Sequence, residues 1–242
     1  MDLSKFLPED FDKDAAIELI AGKGAYPRET LRELRRLNLN VKLIAVEDET
    51  EEELFDSFAP EDRATVNIGQ LGKFLKCTKK FGAKYAIMAG QITPKKLFKG
   101  LKPDLKAMMI LATLKEKNAE SIFGSIAREL EKIGCTVLDA RSFLDAQIAP
   151  KGFICGKKWS VKEGDLAHGM KIAKECARLD IGQACVVARG SVLAVEAWEG
   201  TDKMLERAGT FEAKDALFVK TVKPNQDYRF DVPVIGERTI RK

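Results

Sequence analysis

The sequence predicts an α/β protein in two parts, a parallel-sheet domain followed by a smaller α/β domain. Three observations carry this. From residue 16 onward, short apolar runs alternate with stretches of helical period, the order that builds parallel β-α-β layers. Around 147–157 the text turns to proline, lysine and glycine (QIAPKGFICGK), as a connector between domains does. Beyond it, two apolar runs are separated only by Arg189-Gly190, the spacing of a hairpin. The domains are accordingly expected at 15–146 and 158–242, preceded by an acidic arm at 1–14.

The arm, MDLSKFLPEDFDKD, is expected to be partly ordered at best. AIELIAG (16–22) reads as the first strand and runs into G-K-G-A-Y-P. A helix follows, with Pro27 in its first turn and Leu31, Leu34 and Leu37 on one face. VKLIAV (41–46) is the second strand, and this β-α-β start makes the first domain Rossmann-like. Gly22 and Gly24 sit where phosphate-cradling turns sit, ahead of a helix N-terminus, and they equally suit a tight packing turn. Pro27 stands where the dinucleotide fingerprint wants glycine, and Glu47 after the second strand is the ribose-acceptor candidate. TVNIG (65–69) is a third strand, a helix runs from Gly72 to Phe81, and YAIMAG (85–90) is a fourth strand. It ends in glycine at the edge where open α/β sheets bind ligands.

Residues 94–133 are expected to be helical, with KAMMILATL apolar enough for burial. Ile122, Ile126, Leu130 and Ile133 recur at helical spacing before the stop at Gly134. Met108 and Met109 fill a core or line a lipid groove. TVLDA (136–140) closes the first domain as a short strand. The second domain opens with a helix over 165–179 carrying Met170, Ala173, Cys176 and Ala177 inward. In the strand pair that follows, alternation places Glu196 on one face with Val192, Ala194 and Trp198, so a polar partner must meet it. A short helix has Thr201 as its expected N-cap and Gly209 as its stop. ALFVKTV (216–222) is a last strand, and 228–234 the last ordered stretch.

Composition narrows the chemistry. The longest apolar run, Ala107 to Ala112, is far shorter than the roughly 20 residues a membrane span requires, and no signal-peptide pattern opens the chain. A cytoplasmic location is expected. The 5 cysteines have no C-x-x-C or zinc-ligand spacing and read as reduced thiols. With His168 as the single histidine, a catalytic triad and a multi-histidine metal centre are excluded, and acid–base chemistry rests on carboxylates or lysines. Residues 1–150 hold 24 basic and 24 acidic side chains, and 151–242 hold 17 and 13. A surplus of +4 is too small for nucleic acid, and suits an anionic small ligand or an acidic membrane surface.

That surplus points to the last quarter of the chain. Asp180, Glu199, Asp202 and Asp231 alternate there with Lys220, Lys223, Gln183 and Gln226, mostly where elements begin or end. Such a mixture is either a solvated surface or a metal-assisted phosphate site, in which lysines neutralise phosphate and carboxylates hold a cation or steer water. Lys220 and Lys223 lie three apart across a strand end, and Thr201 with the helix behind it offers N–H groups to phosphate. Asp202 in that first turn either ligates an intervening cation or answers the helix dipole.

IAGKGAYP, AGQITP, LDIGQACVV, VLAVEAWEGTDKML, VKTVKPNQD and RFDVPVIG occur in this order over about residues 15–240. Together they resemble the LpxI-type UDP-2,3-diacylglucosamine pyrophosphatases of lipid A biosynthesis. The resemblance implies hydrolysis of the diphosphate of UDP-2,3-diacylglucosamine to UMP and 2,3-diacylglucosamine 1-phosphate (lipid X), with attack at the sugar-side phosphorus. It further implies magnesium dependence, a homodimer, a substrate cleft between two domains, and peripheral contact with the cytoplasmic face of the inner membrane. The family's key acid falls on Asp231, which activates water or ligates magnesium. LDIGQ carries over to Asp180 and Gln183, EGTD to Glu199, Thr201 and Asp202, and the lysine pair to Lys220 and Lys223. On this reading Gly22, Gly24, Asp180, Gln183, Thr201, Lys220, Lys223 and Gln226 bind substrate, and Glu199, Asp202 and Asp231 hold the metal. The connector and the N-terminal arm depart from the family's usual form. Two other classes are a nucleotide-sugar sensor that binds without hydrolysing and a Rossmann-like oxidoreductase. The missing third glycine and the lack of a histidine or tyrosine constellation count against the second.

Overall fold

A computed structural model describes residues 3–92, 103–116, 118–156 and 162–241. By its contacts the chain falls into two compact units, Met1–Ile148 with Tyr228–Asp231, and Ala149–Asp227 with Val232–Lys242. The expected helix over 94–133 and the connector's end lie partly outside the described residues.

The first unit is built on a five-stranded sheet of order β3-β2-β1-β4-β5. Its strands are β1 (Ala16–Ala21), β2 (Val41–Val46), β3 (Arg63–Val66), β4 (Ala83–Ala89) and β5 (Thr136–Val137). All four pairings are parallel, and both faces are covered, which is why these strands read as nearly continuous apolar runs. One face carries Ile17, Leu19, Leu43 and Ile87 against Leu31 and Leu34 of helix α1 (Ala25–Arg36). The other carries Ile44 and Ala86 against Phe74 and Leu75 of α3 (Leu71–Phe81) and Leu130 of α5 (Ala119–Lys132). A one-turn α2 (Glu52–Asp56) buries Leu54. The strand order reverses between β1 and β4, so the turns after these two strands flank the switch point where such sheets bind ligands.

Several expectations are corrected. The third strand begins at Arg63 and ends at Val66, because Asn67 turns the chain and its Oδ1 accepts the Gly69 N–H at 3.1 Å. The helical stretch is broken: α4 (Leu105–Thr113) is capped by Asp104 and α5 by Asn118, each accepting an N–H three residues on. The acidic arm is packed rather than loose. Leu3, Leu7 and Phe11 lie against the core, the Phe11 and Tyr85 ring centroids are 4.7 Å apart, and the Asp12 N–H donates to the Tyr85 hydroxyl at 2.9 Å. Four-residue spacing of its apolar side chains outweighs the charge between them.

Glu18 is the least expected feature of the sheet. It is fully buried on β1, where the Thr78 hydroxyl donates to its Oε1 at 3.0 Å and its Oε2 has no partner. Burial pushes its carboxyl up to about 8.

The second unit holds a three-stranded antiparallel sheet of order β7-β6-β8. β6 (Ala184–Ala188) and β7 (Ser191–Val195) form the expected hairpin, with Arg189 at φ 50° and Gly190 at φ 76°. Two positive φ angles match the twist of the flanking strands. β8 (Leu217–Lys220) pairs on the other side of β6. Helix α6 (Glu163–Arg178) brings Ala173 onto Cys185, Val187 and Val219. Helix α7 (Thr201–Gly209) packs Met204 and Ala208 on Ala184, Val186 and Ala194, from the opposite face. A last turn of helix, α8, spans Glu237–Ile240.

Candidate functional site

Antiparallel register brings distant stretches of the second unit to one edge of its sheet. β6 starts where β7 and β8 end: Ala184 pairs with Lys220, the Glu196 N–H donates to the Ala184 carbonyl at 2.8 Å, and the Thr221 N–H donates to the Gln183 carbonyl at 2.8 Å. The segments 179–183, 196–201 and 220–227 therefore emerge side by side.

Their side chains form a connected chain. Lys220 Nζ donates to Thr201 Oγ1 at 2.9 Å, and the Thr201 hydroxyl donates to Glu196 Oε1 at 2.6 Å. Glu196 Oε2 accepts the Gln183 N–H at 3.3 Å. Thr201 is not the N-cap it is expected to be. Gly200, at φ 80°, takes that position, and Thr201 is the first helical residue, with its hydroxyl committed to Glu196. Glu196 lies one residue past the end of β7, and Val192 and Trp198 are exposed, so it sits at the polar edge with Thr201 as its partner and not on the apolar face that alternation gives it. The sequence reading left it out of the site. The partner's identity depends on the β6–β7–β8 register, which no local pattern states.

Beside this chain Lys223 Nζ forms an ion pair with Asp180, and the Lys223 N–H donates to Gln226 Oε1 at 2.9 Å. Gln226 thus closes the turn that carries Lys223. Gly182 holds the edge together from below, since a Cβ there would lie 2.2 Å from the Glu196 carbonyl oxygen. Gly182→Ala is expected to cost about 2 kcal/mol of stability, measured by urea unfolding. Gly209→Ala, where nothing lies within 4 Å of the added carbon, is the control.

The expected metal ligands are not gathered in the same way. Glu199 is engaged by Arg207 at 2.6 Å, and that hydrogen bond holds its carboxyl below the usual range. Asp202 lies in the first turn of α7. Asp231 belongs to the first unit. Among the described residues no group of three His, Cys, Asp or Glu side chains is arranged to hold a metal ion. Magnesium commonly takes only one or two carboxylates and completes its shell with water and substrate phosphate oxygens. Asp202, in the first turn of α7, is the type of single carboxylate that such a substrate-borne ion takes.

Asp231 ends a segment fastened to the first unit. The Tyr228 carbonyl accepts the Ala140 N–H at 2.8 Å, and the Arg141 guanidinium sits 3.6 Å from the centroid of the Tyr228 ring. Arg229 donates to Glu131 at 2.8 Å, and Phe230 meets Phe123 with ring centroids 6.0 Å apart. Also in the first unit, the turns after β1 and β4 join in a backbone bridge between Lys23 and Gln91. Gly22 is required there for packing, because a Cβ would lie 2.4 Å from the Gln91 carbonyl oxygen. Gly24, at φ 98°, caps α1 and faces open space. Of the G-x-G pair, only Gly24 has open space where a side chain would stand. Glu47 accepts from the Asn67 amide at 2.8 Å.

Comparison with known proteins agrees with this architecture. Residues 16–147 match the LpxI N-terminal domain and residues 150–242 the LpxI C-terminal domain. The UDP-2,3-diacylglucosamine pyrophosphatase LpxI of Caulobacter vibrioides is 34% identical over 192 residues, covering 74% of this chain and 68% of the relative. With both domains matched in order and the packed, hairpin-bearing second unit in place, the chain belongs to the LpxI family.

Proposed function

We propose that this protein hydrolyses the diphosphate of UDP-2,3-diacylglucosamine, releasing UMP and 2,3-diacylglucosamine 1-phosphate. The Lys220–Thr201–Glu196 chain at the sheet edge carries the reading. It presents an ammonium in a fixed place, held by a hydroxyl that a carboxylate in turn orients, and preorganised charge is what a phosphoryl transition state rewards. Lys223 adds a second ammonium by exchanging Asp180 for a phosphate oxygen. Asp231 is assigned to the attacking water. The water oxygen bonds to the sugar-side phosphorus, the bridging oxygen leaves with UMP, and Asp231 accepts the water's proton. A magnesium ion bound to the diphosphate, with Asp202 as its ligand from the chain, would neutralise developing charge. Glu199 joins that role only by leaving Arg207.

No helix among the described residues is long and apolar enough to cross a membrane. The proposal places the protein at the cytoplasmic face of the inner membrane as a peripheral homodimer. UMP release from UDP-2,3-diacylglucosamine, followed with and without magnesium in water enriched in oxygen-18, tests the reading. Magnesium-dependent UMP and label in the lipid phosphate are expected. Substrate binding with no UMP above background would make the protein a nucleotide-sugar sensor instead.

A further inference from the structure

Helix α4 is turned inside out relative to an ordinary surface helix. Ala107 is buried and Ile110 packs on the core, whereas Leu105, Met108 and Met109 are 70%, 49% and 60% exposed. With the exposed Ala112 they follow the i, i+3, i+4, i+7 spacing of one helix face. An apolar stripe facing outward is normally found only where something covers it.

The neighbouring helix supplies the complementary half. α3 packs beside α4, its Gly72 N–H donating to Asp104 at 2.6 Å. It carries Lys73, Lys76, Lys79 and Lys80, all exposed, and no acidic residue. None of the four forms an ion pair among the described residues, whereas Lys106 of α4 is matched by Glu129 at 2.5 Å. A shallow groove between the helices is lined by Lys73, Lys76, Leu105 and Met109. Ammonium groups with no ion pair among the described residues thus border the apolar stripe.

We infer that the α3–α4 surface docks on an anionic phospholipid bilayer, with Leu105, Met108 and Met109 entering the headgroup boundary and Lys73 and Lys76 meeting lipid phosphates. The inference rests on the proposed substrate being a lipid, and it names which face of the first unit meets the membrane. Apolar insertion beside clustered lysines is the pattern by which peripheral helices bind acidic bilayers. A second copy is a poor occupant, because an isologous contact lays the same lysine-rich patch against itself.

The test is flotation of the whole protein with vesicles of phosphatidylcholine alone and of phosphatidylcholine mixed with phosphatidylglycerol, at low and high salt. Binding to the mixed vesicles, released by salt, is expected. Lys73→Glu/Lys76→Glu should weaken it by about tenfold or more, and Leu105→Asp/Met109→Asp should abolish it, with circular dichroism and sedimentation mass unchanged. Equal binding to neutral vesicles, variants that bind like the parent, or a change in oligomer mass with Leu105→Asp/Met109→Asp would overturn the inference. UMP release from detergent-dispersed substrate, measured on the same samples, separates the two readings. Hydrolysis without vesicle binding removes the docking surface alone, and vesicle binding without hydrolysis removes the hydrolase alone.

Discussion

Replacement of Asp231 by alanine should lower kcat by about 10²–10⁴-fold, the range for loss of a positioned general base, while KM stays close to that of the parent. Transition-state loss without ground-state loss is the expected split, since Lys220 and Lys223, which are assigned to the diphosphate, are untouched. The fold should survive. Tyr228, Arg229 and Phe230 hold the segment through Arg141, Glu131 and Phe123, and none of these contacts uses the Asp231 carboxylate. Unchanged circular dichroism should therefore accompany the lost turnover. Activity above a few per cent of the parent would remove Asp231 from the central role.

Glu18→Met should raise stability at pH 8 and above by roughly 4 kcal/mol. The sign follows from proton counting. The unfolded chain ionises this carboxyl near its ordinary value of 4.5, whereas the folded chain holds its proton up to about 8. Between those values the folded state binds more protons, so stability falls as pH rises, and the full benefit of the buried acid is present only below the lower value. Among the described residues, the groups around it supply no counter-charge. Thr78 offers a hydroxyl, Cys77 and Cys135 are thiols held neutral by burial, and Lys42, its register neighbour on β2, is paired with Asp62 at 2.5 Å. Methionine is close in volume and apolar. Urea unfolding at several pH values between about 5 and 8 should show a slope near −1 kcal/mol per pH unit in the parent that the variant lacks. Identical slopes would mean that Glu18 finds a solvated escape when it ionises.

Local pattern made the parallel sheet, the hairpin and the second unit's helices legible, because each rests on a period or on a glycine with a local conformational job. Glu18 escaped notice for the complementary reason. One acid inside AIELIA does not disturb an apolar strand, and its burial is decided by α3 closing over that face. The arm misled because its charge is conspicuous and its three anchoring side chains are spread out. Asp180, Gln183, Thr201, Lys220, Lys223 and Gln226 were legible as a group, and strand register explains why they meet. The fate of Glu199 was not, since its partner Arg207 lies two helical turns on and competes with any cation. Nor could the pattern around RFDVP say that Tyr228–Asp231 packs with the first unit, because a four-residue turn has no period to read.

The polarity of the second sheet has a practical corollary. Its polar chain sits where β6 begins, and the Arg189-Gly190 turn sits where β6 ends, so the two lie at opposite ends of the same strand. A fluorophore or epitope grafted into that turn would report on the unit from its far side without shifting a single strand pairing at the working edge. A one-residue deletion inside β6 would instead slide Gln183 past Lys220 and take the whole chain apart.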